Sequence, residues 1–421
     1  MREKYRVSSQ DFTRNRTLGF SIVAVLILRG HKLSLQNAIN KFFGALGKVF
    51  SAPSGSAYSQ ARQKLQPELF IHLNQVVCQD FYQLYGADDE LLTWRGHRVL
   101  AYDGTYINLP DTDQLREKYS VQRNQHESNC IQALSGVLYD VRNDIGLGAG
   151  FGPIQAEKNF LLNELWPLTR RGDLILMDRN FADYTVIAYA AKHKREVLVR
   201  CPTQSFGVVN DFWKSDENER IVTLTVPGTP QTRKFVDKLK LARAVTVRLL
   251  KFTLSTGETE VLLTTLIDRR RYPRAEFEQV YHWRWSEETY FGRLKNIFEV
   301  ERFSGFSEIS IKQDFYGVIF LATLESILTK SPQAELTIKD IKRQTKTLAQ
   351  VNRAVSYVAL VDRAAQLLAD PRSSPEETLK ELHHLFQTNP TRNKDGRKFE
   401  RKKLKHSEQL RFHRYKKRLT A

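Results

Sequence analysis

The chain has 421 residues, with 65 Lys and Arg against 47 Asp and Glu for a formal net charge of +18, and 41% of its residues are hydrophobic. This is enough apolar content for a large core over two or three domains, and the basic excess points to a polyanionic partner, nucleic acid ahead of an anionic membrane. The composition argues against a membrane partner or a metal-cysteine site: the best apolar stretch, Leu18–Leu28, is too short to span a bilayer, and Cys78, Cys130 and Cys201 are scattered without ligand spacing.

That stretch lies behind a charged start and lacks a small-residue cleavage site, so it reads as a buried helix and not as a signal peptide. With three cysteines and no disulfide framework, the expected setting is the reducing cytoplasm of a bacterium, at the nucleoid. Residues 1–90 read as helical. A helix is expected over Phe12–Leu28, a second over Leu33–Leu46, and a polar, basic one over Ser56–Leu65 after the break at Pro53-Ser54-Gly55. Two short helices, the second carrying Arg62 and Lys64, fit a helix-turn-helix-like DNA reader; a plain helical domain with a wet face fits as well.

From Arg98 the texture becomes α/β. The apolar run Val99-Leu100-Ala101-Tyr102 leads into Asp103-Gly104-Thr105, and Leu174-Ile175-Leu176-Met177 leads into Asp178-Arg179-Asn180-Phe181. Short continuous apolar runs suit strands buried on both faces, and carboxylates at the ends of neighbouring buried strands meet at one edge of the sheet, where ligands bind. Taken singly, either aspartate could serve only to cap a turn. Strands over Cys130–Val141 and Ile145–Phe151, a helix over Glu157–Leu168, another over Ala182–Lys194 and a strand over Glu196–Arg200 complete the order of a ribonuclease-H-like fold, with Asp103 ending the first strand and Asp178 the fourth.

Between residues 202 and 272 come β-branched runs at Ile221–Val226, Ala244–Leu250 and Glu260–Leu266, a β-rich insertion. Then follow Tyr281, Arg284, Glu288 and Lys295. At about 100° per residue, the last three fall about 60°, 20° and 40° from Tyr281 on a helix, one polar stripe opposite Trp283, Tyr290, Leu294 and Ile297. A carboxylate flanked by cations and a phenol suits a metal held beside phosphate oxygens, and a solvated charged face is the plainer alternative. Beyond Gly305, helices are expected over Phe315–Leu328 and Leu348–Leu368. The tail from Thr391 holds thirteen Lys or Arg against three Asp or Glu, with Phe399, Phe412 and Tyr415 interleaved, a pattern of nucleic-acid contact or of a solubilising extension.

Tyr281-x2-Arg284-x3-Glu288-x6-Lys295 resembles the YREK signature of bacterial insertion-sequence DDE transposases of the IS-four type, and the Asp103 and Asp178 blocks resemble that family's two acidic blocks, with Asn180 where glycine is common. The resemblance covers roughly residues 10–330. It implies five parts: an N-terminal helical DNA-end-binding domain (1–90), a ribonuclease-H-like core in two pieces (91–201 and 273–330), a β-rich insertion (202–272) and a helical C-terminal region with a basic tail (331–421). It also implies cutting at transposon ends and strand transfer into target DNA by a homodimer on double-stranded DNA. Asp103, Asp178 and Glu288 would hold two Mg2+ ions, for which Mn2+ can substitute, while Tyr281, Arg284 and Lys295 grip phosphates. Relatives flip a base onto an aromatic ring; Trp285 is the candidate platform, with core packing as its alternative and Trp213 a weaker candidate.

Overall fold

The computed structural model describes residues 1–30, 34–48, 51–123, 129–154, 157–254, 257–370 and 372–392; the basic tail beyond residue 392 lies outside them. Four helices open the chain: α1 (Phe20–Leu28), α2 (Leu35–Ala45), α3 (Gly55–Arg62) and α4 (Glu68–Ala87). Helix α1 starts eight residues later than its apolar run suggests from Phe12. Arg14, Asn15 and Arg16 are exposed and have no apolar face to bury, Phe12 has φ +56°, and Gly19 takes the N-cap. Ser54 caps α3, its hydroxyl accepting from the Ala57 N–H at 3.2 Å.

Nine strands form one mixed sheet: β1 (Val99–Asn108), β2 (Ser120–Arg123), β3 (Asn129–Asp140), β4 (Ile145–Gly152), β5 (Leu174–Met177), β6 (Glu196–Arg200), β7 (Glu219–Thr225), β8 (Ala244–Thr253) and β9 (Thr259–Thr264). β1 runs antiparallel to β3 and β3 to β4, whereas β1, β5 and β6 are mutually parallel. That is the three-antiparallel, two-parallel order expected of the core. The segment 202–272 continues the same sheet outward through β9, β8 and β7, and it also carries helices α8 (Gly207–Lys214) and α9 (Pro230–Lys238).

Alternate residues of β1 feed opposite cores. Leu100 and Tyr102 pack with α4 and α7 (Tyr184–Lys192), and Val99 and Ala101 with α10 (Phe277–His282). The helix expected over Glu157–Leu168 is instead a single α-turn, α6 (Glu157–Asn159), a π-helical stretch over Phe160–Leu165 and a 3-10 turn over Trp166–Leu168. Phe160 lies flat on β4: a Cβ on Gly150 would stand 2.4 Å from its ring.

After the sheet come α11 (Trp285–Asn296), α12 (Glu308–Leu328), α13 (Lys330–Lys342), β10 (Ala349–Val351), α14 (Arg353–Leu368), α15 (Pro375–Thr388) and β11 (Pro390–Arg392). The helix expected from Leu348 begins only at Arg353, because residues 349–351 pair with β11 and Asn352 caps α14. α12 is buried along most of its length against α1, α4, β4 and α14, and joins the N-terminal helices to the sheet.

Candidate active site

The parallel ladder between β1 and β5 ends at Tyr102 opposite Met177. Asp103 and Asp178 are therefore the next residue on each of two neighbouring strands, side by side at one edge of that ladder, with strands about 4.8 Å apart. Asp103 does not end its strand: β1 keeps pairing with β3 as far as Asn108, since its antiparallel partner runs on where β5 stops. Asp178 leaves the sheet as the cap of a 3-10 turn, its Oδ1 accepting from the Asn180 N–H at 2.9 Å.

The stripe of Tyr281, Arg284, Glu288 and Lys295 does not lie on one regular helix. α10 and α11 are joined by a tight turn in which the N–H groups of Arg284, Ser286 and Glu287 bond three residues back instead of four. Each tight step adds rotation, so the simple helical count fails across the joint. Arg284 sits at that joint with its side chain 9% exposed and spans two carboxylates, Nη1 donating to Asp103 Oδ2 at 3.3 Å and Nη2 to Glu288 Oε1 at 3.2 Å. Its Nε–H is buried without a partner.

Around this bridge the groups differ in setting. Glu288 keeps its side chain 45% exposed. Tyr281 is buried and donates its hydroxyl to the Met177 carbonyl at 3.3 Å, and Lys295 Nζ donates to the Tyr106 carbonyl at 2.8 Å, so both are spent on the strand ends. Trp285 is 51% exposed, with the Arg284 guanidinium 5.2 Å from its ring, which makes it an open aromatic face and not a core side chain. It borders a groove of about 480 Å³ lined also by Arg200, Glu260, Gln279 and Tyr281. Trp213 only packs partly buried against the sheet's core, and His282 lies on the groove wall.

Burial raises the Asp103 carboxyl above its usual range, and the charges of Asp178 and Glu288 add to it; the Gly104 N–H and Arg284 offset part of the rise. These carboxylates thus share one field, although among the described residues no group of three His, Cys, Asp or Glu stands close enough to hold a metal ion. The donor chemistry still fits one. The oxygens are hard, as Mg2+ and Mn2+ prefer, and the like charges are held by a single guanidinium.

Two acidic residues at this site escaped the sequence reading. Glu287 is fully buried; its Oε1 accepts from the Asp103 N–H at 3.0 Å and its Oε2 has no partner. Burial, then the Asp103 charge, pushes this carboxyl well above the ordinary glutamate value, so it holds its proton. Its signal was its spacing: three and seven residues before Tyr290 and Leu294, it shares their buried side. Glu157, at the start of α6, also faces the aspartates, and burial followed by the charges of Asp103 and Asp178 raises its carboxyl.

Arg62 is a correction. Expected to touch DNA, it is 3% exposed, and its guanidinium is consumed within the fold by Gln313, Ser304, Asp314 and the Ser310 carbonyl. An arginine on α3 at this turn faces α12, not solvent. Lys64, just past the helix, remains 47% exposed beside Asp11 at 3.8 Å.

Residues 94–324, more than half of the chain, match the family model described as "Transposase DDE domain". The transposase InsG of the insertion sequence element IS4 from Escherichia coli (strain K12) is 26% identical over 285 residues, 66% of this chain; the chain spans about three fifths (61%) of that relative's length. A solved structure of the piggyBac transposase synaptic complex with hairpin DNA aligns over 90% of this chain and 78% of its own at 9% identity and a TM-score of 0.43, too loose a likeness to bear on the fold. On the family match, whose span takes in both aspartates and the α10–α11 joint, the chain belongs to the transposase DDE domain family.

Proposed function

We propose that the protein is a DNA transposase that binds the ends of an insertion sequence, cuts there and joins the freed 3′ ends to target DNA. The observation that carries this reading is the placement of Asp103 and Asp178 side by side past the Tyr102–Met177 pair, with Arg284 tying Asp103 to Glu288. Asp103, Asp178 and Glu288 would hold two Mg2+ ions, with Mn2+ as a substitute, and such a pair supplies the charge that activates an attacking hydroxyl and offsets that of the leaving oxygen. The chain's own residues do the rest. Glu287, neutral and buried, fixes the backbone of Asp103. Arg284 has an unspent Nε–H for a phosphate and offers a bidentate fork once released from the carboxylates. Trp285, exposed at the groove mouth, gives an unpaired base a surface to stack on.

The helices of residues 1–90 are the proposed DNA-end reader, through the outward side of α3. Ser59, Gln60 and Lys64 are exposed there beside the basic loop of Arg14 and Arg16, while Tyr58 and Arg62 face inward. Among the described residues no helix is long and apolar enough to cross a membrane. The +18 charge suits a cytoplasmic protein working on duplex DNA, two copies of which would pair two ends. The test is incubation of the purified protein with DNA carrying the ends that flank its gene, in Mg2+ or EDTA, beside Glu288→Ala. Mg2+-dependent nicks and joined products, both lost in the variant, are expected. Cutting without joining would mark a nuclease, and binding without cutting a DNA-binding derivative.

A further inference from the structure

The residue after Asp103 on β1 is Gly104, and its missing side chain is occupied: a Cβ there would stand 2.3 Å from Glu157 Oε1. By strand alternation Asp103 and Gly104 face opposite sides of β1, so Glu157 reaches this strand from the face opposite α10 and α11. Two contacts pin the turn that carries it. The Tyr102 hydroxyl donates to the Glu157 carbonyl at 2.6 Å, and Lys158 Nζ bonds Asp183 Oδ2 at 2.8 Å, close after Asp178 in sequence. The Glu157 carboxylate itself accepts no hydrogen bond among the described residues, and the charges it feels first are those of Asp103 and Asp178, not that of Glu288.

An inward-held carboxylate with no donor, placed against two aspartates, is unfavourable unless a cation answers it. The other side of the site is unfinished in the same sense: Arg284, nine-tenths buried, leaves its Nε–H unpaired, and the fully buried Glu287 leaves Oε2 unpaired. We infer that Glu157 is a fourth carboxylate of the site, reaching over the sheet edge to help hold the divalent cation that Asp103 and Asp178 share. Glu288 on α11 closes the site from one face and Glu157 on α6 from the other. Gly104 is then required for room: any side chain there displaces the Glu157 carboxylate. The inference rests on the reading of Asp103 and Asp178 as metal-holding residues.

The test is Mn2+ titration of the full chain, the free ion followed by its paramagnetic resonance signal, for the wild type, Glu157→Gln, Gly104→Ala and Asp103→Asn. Expected is the loss of one bound Mn2+, or its weakening by at least about tenfold, in Glu157→Gln, since even outer-sphere partners of metal ligands are worth that much. Gly104→Ala should weaken binding in the same direction and add nothing to Glu157→Gln. In EDTA the melting temperature of Glu157→Gln should equal or exceed that of the wild type, because a like charge leaves an acidic cluster; a merely structural glutamate would lower it. Wild-type Mn2+ binding by Glu157→Gln, with Asp103→Asn defective, overturns the inference and spares the site. Wild-type binding by Asp103→Asn, or no binding by the wild type, removes both.

Discussion

Replacing Arg62 with alanine separates an interior role from a DNA contact. The guanidinium donates from Nε to Gln313 at 2.9 Å, from Nη1 to Ser304 at 2.7 Å, and from Nη2 to the Ser310 carbonyl and Asp314 at 3.1 Å each. Asp314 is 9% exposed and Arg62 3%, so the pair is shielded from water. Removing one partner of a buried pair costs about 3–5 kcal/mol, whereas an exposed ion pair is worth about 0–1 kcal/mol. Asp314 keeps Ser304 as a donor, which places the expected loss near the lower bound, about 3 kcal/mol. Arg62→Lys, which cannot reach three directions at once, should recover only part of it. The assay is urea unfolding of the two variants beside Lys64→Ala, an exposed neighbour expected to stay within about 0.5 kcal/mol of wild type while weakening DNA-end binding. A loss below about 1 kcal/mol for Arg62→Ala, in the range of an exposed pair, would refute the interior assignment.

Trp285→Ala should leave the unfolding midpoint unchanged, since the ring is half exposed, and lower the rate of end cleavage tenfold or more, about the 1–3 kcal/mol of one base–aromatic stack; a stability loss with normal cleavage would contradict this. Glu287→Ala should destabilise by about 1–3 kcal/mol by orphaning the Asp103 N–H, whereas Glu287→Gln keeps an acceptor there. Because the Glu287 carboxyl is raised, the folded chain binds a proton the unfolded chain releases, and stability falls as pH climbs above the ordinary glutamate value of 4.5. Glu287→Gln lacks that slope, so its advantage over wild type should grow between pH 5 and pH 8 in urea unfolding, and parallel pH profiles would sink the assignment. Asp144 runs the other way. Burial would raise its carboxyl, but Arg293 and Arg353 outweigh it and hold it well below the usual range, so its stabilisation is present above the ordinary value of 3.8 and is lost as pH falls. Arg293→Ala should therefore cost about 3 kcal/mol at pH 7 and distinctly less near pH 3, measured by the same unfolding curves.

The parts of this fold that sequence made legible are those set by local pattern. The runs ending in Asp103 and Asp178 are continuous and apolar because both faces of the sheet are covered, and that run is visible without any partner. Partner-dependent features were not legible. The length of β1 past Asp103 depends on β3, the late start of α14 on β11, and the joint between α10 and α11 on packing that a count of about 100° per residue cannot sense. Arg62 reads as a surface cation because most arginines are; only the 251-residue separation to Gln313 makes it interior. Glu157 and Glu287 read as ordinary helix-start and helix-face charges until the chain brings them to Asp103.

The most direct test of the central claim separates joining from cutting. A duplex ending in a pre-cut 3′-hydroxyl at the insertion-sequence terminus is incubated with a target plasmid and Mg2+, using the wild type and Asp103→Asn, Asp178→Asn and Glu288→Gln one at a time. The account predicts plasmid joined to the duplex for the wild type alone, with each single loss of a carboxylate reducing joining by orders of magnitude while binding to the terminus persists. Joining that survives any one of these substitutions, or that proceeds in EDTA, would contradict it.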